Sequence, residues 1–169
     1  MGVVGAGKTT VGTLLARKLG WKFADADDFH PRTNIEKITN GIALDDSDRA
    51  PWLAAMHDAI LRWNAEGQSV VLACSALKRS YRAQLGSGQV QFVYLKGTRE
   101  LILQRLRARH GHFASETILE TQFRDLEEPD DAIKVEIDRL PEEIVTEIVI
   151  KLNLYRTHEL HPAPSRKPI

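Results

Sequence analysis

Gly2-Val3-Val4-Gly5-Ala6-Gly7-Lys8-Thr9 carries the spacing G-x-x-x-x-G-K-[ST], and its reading sets the terms for the rest of the chain. The glycines allow successive backbone N–H groups to turn inward around phosphate oxygens. A helix starting at the end of the motif adds the positive end of its dipole. Lys8 supplies a mobile charge for the β- and γ-phosphates, and Thr9 a hydroxyl ligand for Mg²⁺. Thr10 counts with them as a nucleotide contact. A glycine-rich turn with no such role is the alternative, but a helix of the right period follows. Val11, Leu14, Leu15 and Leu19 share one face, and Gly20 suits a C-cap. The expected cofactors are ATP and Mg²⁺.

Outward from this loop, the bulk properties are those of a soluble globular protein. The 169 residues suffice for one domain with a sizeable core, and 43% hydrophobic against 27% charged residues argues against disorder. Lys plus Arg and Asp plus Glu both number 23, so no global basic field favours nucleic acid or a membrane surface. Cys74 has no second cysteine to pair with, which suits a reducing, cytoplasmic compartment. No apolar run approaches the roughly 18 residues of a membrane span, and no leader is expected ahead of the loop.

The remaining pattern alternates strands and helices. Trp21 to Asp25 reads as a strand ending in the acidic loop Asp25-Ala26-Asp27-Asp28, and a helix follows around Thr33 to Thr39. Trp52, Leu53, Met56, Ile60 and Trp63 have helical spacing from a start near Pro51, and read as core. Ser69 to Cys74 reads as a buried strand, Val90 to Leu95 as the next, then a helix through Leu106. Ser115 is the expected N-cap of a helix to about Leu126. Ala132 to Asp138 alternates as a strand, and Pro141 opens a last helix. Such an order implies a parallel sheet covered on both faces. The expected domain spans 1–152, and 153–169, with Pro162, Pro164 and Pro168, reads as a flexible tail.

Candidate site residues lie at strand ends, where open α/β sheets bind ligands. Asp25 and Asp27, two apart in extended chain, would point to opposite sides, one to metal and one to an acceptor hydroxyl. His30-Pro31 beside them is a candidate substrate contact. Asp45, Asp46 and Asp48 can be simple helix capping, whereas Arg49 opposes the dipole and asks for another reason. Ser75 stands where an acidic metal ligand could have been, and Lys78, Tyr81 and Arg82 can bind an anion or form a solvated basic face. Arg105, Arg107 and Arg109 suit a segment closing over phosphates, or a helix C-terminus. Cys74 reads as a small buried filler.

In combination and order, these pieces resemble the gluconokinases, P-loop small-molecule kinases related to shikimate kinase. The resemblance runs from Gly2 to about Leu152. It rests on Asp25-Ala-Asp27 with His30-Pro31, on Asn34-x-x-Lys37, and on Gly41-x-x-Leu44-x-Asp46-x-Asp48-Arg49-x-x-Trp52-Leu53. It also rests on Cys74-Ser75-Ala76-Leu77-Lys78, Tyr81-Arg82, Gly111-His112-Phe113, and Gln122-Phe123 with Leu126-Glu127-x-Pro129. It implies a three-layer α/β nucleoside-kinase-like fold and ATP-dependent phosphorylation of D-gluconate to 6-phosphogluconate by a cytosolic homodimer. Under it, Lys8, Asp27 and Arg105 are catalytic and Asp25 lies on the Mg²⁺ side with Thr9. Gly2, Val3, Val4, Gly5, Ala6, Gly7, Lys8, Thr9, Thr10 and Arg109 hold the nucleotide. Asp27, His30, Arg49, Ser75, Lys78 and Arg82 serve the substrate. Arg49 with Lys78 or Arg82 would meet the gluconate carboxylate, and Arg105 or Arg109 would form the lid. A kinase for another sugar acid and a non-catalytic nucleotide-binding form are the rivals.

One expectation concerns the opening loop itself. Such a loop joins a strand to a helix, yet the motif begins at residue 2. The expected sheet therefore lacks its first strand or fills that place with another segment, the tail being a candidate.

Overall fold

The computed structural model describes residues 1–86, 89–108 and 113–152. Arg109, His110, Gly111, His112 and the 153–169 tail lie outside them. The described elements are α1 (Lys8–Leu19), β1 (Lys22–Asp25), a 3₁₀ turn (Ala26–Phe29), α2 (Arg32–Thr39), α3 (Asp46–Ala65) and β2 (Val70–Ala73). They continue with α4 (Arg79–Leu85), β3 (Val93–Lys96), α5 (Arg99–Ala108), α6 (Phe113–Asp125), β4 (Ile133–Glu136) and α7 (Pro141–Lys151).

Every pairing is parallel, as helix-linked strands require. β1 pairs with β2, Lys22 opposite Val70 and Asp25 opposite Ala73. β3 pairs with β4, Val93 opposite Ile133 and Lys96 opposite Glu136. The expected single sheet is realised as two separate two-stranded ladders. What lies between them is Met1–Gly2: Leu95 N–H donates to Met1 O at 2.9 Å, and Gly2 N–H donates to Ser75 O at 3.2 Å.

The apolar residues divide in the same way. One core joins α1, α5 and α7 to β3 and β4 through Val11, Leu15, Ile102, Val135, Ile144 and Ile148. The other packs α3 and α4 through Trp52, Met56, Ile60, Tyr81 and Leu85. Burying side chains of this size contributes roughly 1.5–3 kcal/mol each.

Of the differences from the sequence reading, three have a local reason. α3 starts at Asp46, not near Pro51, because Asp45 and Asp48 form a capping box: Asp48 N–H reaches Asp45 Oδ1 at 2.9 Å and Asp45 N–H reaches Asp48 Oδ2 at 3.1 Å. Pro51 is thus inside the helix. α6 begins at Phe113, which puts Ser115 within the helix instead of at its N-cap. The acidic loop after β1 is a 3₁₀ turn with Asp25 as N-cap, its Oδ1 accepting Asp27 N–H at 3.2 Å. The extended-chain argument for Asp25 and Asp27 pointing oppositely therefore does not hold.

Candidate active site

The loop wraps as its glycines permit. Gly5 and Gly7 have φ of 79° and 90°, the left-handed region that disfavours side chains. A Cβ on Gly5 would also press on Ile102 and Leu106 at 3.0–3.1 Å. Gly2, Val3 and Ala6 are buried, while Val4 is only partly so. At the start of α1 there is no side-chain cap and no acidic residue in the first turn. The helix therefore presents backbone donors and a positive end uncompensated by its own side chains, the arrangement that favours an anion. Lys8 Nζ donates to Val3 O at 3.0 Å. Burial lowers its pKa, and Cys74, Asp27 and Asp25 act against that. Thr9 Oγ1 donates to Asp25 Oδ2 at 3.0 Å, and Thr10 is exposed on the next position.

The acidic turn is pinned from α3. Trp52 is buried and its Nε1–H donates to Ala26 O at 2.7 Å, fixing the backbone between Asp25 and Asp27. Asp27 itself is exposed. His30 stacks on Trp52, the rings 4.8 Å apart and 8° from parallel. Burial lowers the His30 pKa; Asp27 raises it, and Arg49 lowers it further. Its ring is therefore mostly neutral at pH 7, between an acid and a base.

Beyond His30 lies a cation cluster that the sequence only half disclosed. Of the three aspartates considered for capping, Asp45 and Asp48 do the capping and Asp46 does not. Asp46 instead receives Lys78 Nζ at 2.7 and 2.9 Å, the Tyr81 hydroxyl, and Arg49 at 3.7 Å. Lys78 and then Tyr81 hold the Asp46 carboxyl below the usual range. Arg49 Nη1 also donates to Tyr81 Oη at 3.4 Å. Asn34, 2% exposed, donates to Asp48 O at 2.7 Å, and Lys37 pairs with Asp48 at 2.6 Å. These two tie α2 to the turn of α3 that carries Arg49. The Asn34-x-x-Lys37 and Asp46-x-Asp48-Arg49 spacings marked these residues in the sequence, while the partners each one takes here were not legible there.

Arg82 is placed differently from Lys78. It is 5% exposed and donates to Ala76 O at 3.1 Å and Leu77 O at 2.7 Å, bracing the loop after β2. Ala76 in that loop has φ of 44°, a strained value for a non-glycine residue. Ser75, half-buried just before it, gives its carbonyl to Gly2. Arg105 donates to Ile137 O, tying α5 to the end of β4. Its partner arginine of the expected lid, Arg109, lies outside the described residues. A residue with no assigned role reaches the loop instead: Gln122 Oε1 on α6 accepts Val4 N–H at 2.6 Å. Cys74 is buried, and burial pushes its thiol up to about 11, consistent with an inert filler.

Bonds thus run from the phosphate loop to the acidic turn through Thr9 and Asp25 and from that turn to α3 through Trp52, and α3 carries Arg49 and Asp46 to Tyr81 and Lys78. Among the described residues no group of three or more His, Cys, Asp or Glu side chains is placed to hold a metal. No described helix is long and apolar enough to cross a membrane.

Known proteins resemble this chain over most of its length. The shikimate kinase family model matches residues 4–153. A probable gluconokinase of Xenopus tropicalis is 45% identical, the match covering 88% of each chain. The thermoresistant gluconokinase of Escherichia coli is 42% identical over 88% of this chain and 89% of its own. The structure of a gluconokinase from Sinorhizobium meliloti superposes with a TM-score of 0.79 at 39% identity, covering 93% of this chain and 94% of that one. With its phosphate loop, parallel α/β ladders and strand-end carboxylates all accounted for, the chain belongs to the gluconokinase family of shikimate-kinase-related P-loop kinases.

Proposed function

We propose that this chain transfers the γ-phosphoryl group of ATP to D-gluconate, giving 6-phosphogluconate and ADP. One observation carries the reading: the acidic turn of Asp25–Asp27 is bonded to the phosphate loop through Thr9 and Asp25, and to α3, whose Arg49 meets Tyr81, through Trp52 and Ala26. An anionic polyol needs that order, with a cation pair for its carboxylate at one end and a phosphoryl donor at the other. In this reading Asp27 orients the acceptor hydroxyl and takes its proton as the new P–O bond forms and the bond to the β-phosphate breaks. Lys8 and the α1 N-terminus neutralise charge on the transferring group. Gly2 to Thr10 cradle the nucleotide, with Arg105 and Arg109 as lid arginines. His30 and Ser75 line the acceptor side.

Mg²⁺ fits the donors present. Thr9 Oγ1 and Asp25 Oδ2 are hard oxygens 3.0 Å apart, too few for a protein-only cage but suited to an ion that keeps waters and phosphates. Bound there, the ion would supply charge neutralisation between the phosphates. For the carboxylate, the positions favour Lys78 with Arg49; Arg82, engaged with two backbone carbonyls, is assigned to bracing. Reading the two ladders as one interrupted sheet in three layers, the domain as 1–152, and the protein as a cytoplasmic homodimer belongs to the same proposal. Sedimentation tests the dimer.

A coupled ADP-release assay with gluconate, shikimate and glycerate tests the substrate, and equal turnover on all three rejects it. Asp27→Asn should lower turnover by roughly 10²-fold or more while nucleotide binding persists. Unchanged turnover would remove Asp27 from the chemistry.

A further inference from the structure

The peptide unit between Val3 and Val4 is held at both ends. Its oxygen accepts Lys8 Nζ at 3.0 Å and Ala6 N–H at 3.2 Å, and its N–H donates to Gln122 Oε1 at 2.6 Å. A planar unit cannot turn one end without turning the other. In the proposed reaction a bound nucleotide draws Lys8 away, because its ammonium serves the β- and γ-phosphates. The plane then keeps Ala6 at its oxygen and Gln122 at its hydrogen. Any tilt that follows the departure of Lys8 is passed to the Gln122 carboxamide, and so to the C-terminal part of α6.

Just past the end of α6, Glu127 grips the acceptor side. Its N–H donates to Leu77 O at 3.1 Å, and its Oε2 accepts Arg79 N–H. These two bonds flank Lys78, the N-cap residue of α4, whose ammonium lies on Asp46. Glu127 thus holds both neighbours of the cation assigned to the gluconate carboxylate. The stretch between Gln122 and Glu127 is stiffened by packing. Phe123 and Leu126 lie against the core that contains Val3, Ala6 and Leu77, and Pro129 is fully buried just beyond. The phosphate loop, the Lys78 loop and this stretch therefore share one close-packed core, the kind of medium that transmits a displacement.

We infer that, given the roles proposed for Lys8 and Lys78, Gln122 and Glu127 are positioning residues at the two ends of a strut, through which nucleotide on the phosphate loop sets the aim of Lys78. Gln122 acts through Val4, and Glu127 through Leu77 and Arg79; neither touches the reacting atoms. The consequence is cooperative binding: nucleotide tightens gluconate, and gluconate tightens nucleotide by the same factor. Arg79 reports on the strut directly. Its N–H is the first of α4, a donor with no partner inside the helix, and the residue is exposed. Protection of that amide from exchange therefore measures the grip of Glu127.

The experiment titrates gluconate into the protein with and without a saturating non-hydrolysable ATP analogue and Mg²⁺, well below each variant's Tm, and follows Arg79 amide exchange alongside. In the parent, the analogue should tighten gluconate roughly fivefold or more and slow Arg79 exchange by a similar factor. Gln122→Met keeps the stem and removes the acceptor, and should bring both factors below about twofold. Glu127→Ala should do the same, while Glu127→Gln, which keeps an oxygen for Arg79 N–H, should restore most of the coupling. The Gln122→Met/Glu127→Ala double variant should lose no more coupling than either single one, since a strut cut once is already cut. A lowered Tm with both factors intact would mean simple packing and overturns the inference, as does a parent without coupling. Losses that add in the double variant overturn it too. Should Gln122→Met fail to fold, the Glu127→Ala and Glu127→Gln pair decides. If gluconate does not bind, yet the analogue protects Arg79 in the parent and not in Gln122→Met, the strut stands and the substrate reading fails.

Discussion

Arg82→Met separates bracing from substrate binding most sharply. Methionine keeps much of the stem that fills the buried site and removes only the guanidinium. Two charge-assisted bonds go, to Ala76 O and Leu77 O. Leu77 O keeps Glu127 N–H at 3.1 Å, so it retains a partner. Ala76 O is left without the arginine, at about 1–3 kcal/mol, and losing the second bond adds about 1 kcal/mol. Ala76 at φ 44° stores further strain that these bonds hold in place. The sum is about 3 kcal/mol, which for a domain of this size lowers Tm by roughly 6–12 °C. Differential scanning calorimetry with parallel urea unfolding measures it, and steady-state kinetics well below the transition gives KM for gluconate. Bracing predicts the stability loss with a KM change of a few-fold. A Tm within roughly 2 °C of the parent, together with a KM rise beyond roughly 50-fold, would refute the reasoning and make Arg82 a substrate cation.

Asp46→Asn should lower KM for gluconate by roughly three- to tenfold with kcat unchanged, because Lys78 and Arg49 lose an exposed carboxylate that competes for them; a raised KM would mean that Asp46 itself holds substrate. Gly12→Ala should destabilise by about 1–3 kcal/mol in urea unfolding, since the new Cβ meets the Phe23 ring at 2.8 Å. Stability should fall as pH drops below about 6.5. His30, whose pKa burial lowers from 6.5 in the folded protein, binds fewer protons there than when unfolded. Its stabilising effect is complete above the unfolded value and is lost as pH falls through the folded one. Thermal scans across that window check this, and His30→Phe should flatten the fall.

What the sequence made legible was whatever short-range chemistry encodes. The Gly5–Gly7–Lys8–Thr9 spacing announced its backbone conformation, and Pro141 and Gly20 marked helix ends that the structure keeps. Periodicity located the strands to within a few residues. The start of α3 was less legible, because a proline usually opens a helix and here the Asp45–Asp48 capping box outweighs it. Asp46 could not be told from its neighbours, since only the approach of α4 brings Lys78 and Tyr81 to it. Gln122 lies more than a hundred residues from Val4 in sequence, and no local pattern connects them. Arg82 and Lys78 look alike in sequence; burial alone distinguishes them.

The resting contacts of the site have a calorimetric consequence. Lys8 already holds Val3 O, Val4 N–H holds Gln122, Thr9 holds Asp25, and Lys78 holds Asp46. An arriving nucleotide or sugar acid therefore exchanges partners more than it adds them, and the heat released on binding will be smaller than the new contacts alone would give. Selection follows from that exchange: a neutral polyol of the same shape offers Lys78 no charge in place of the Asp46 carboxylate, so it binds less tightly than the anion.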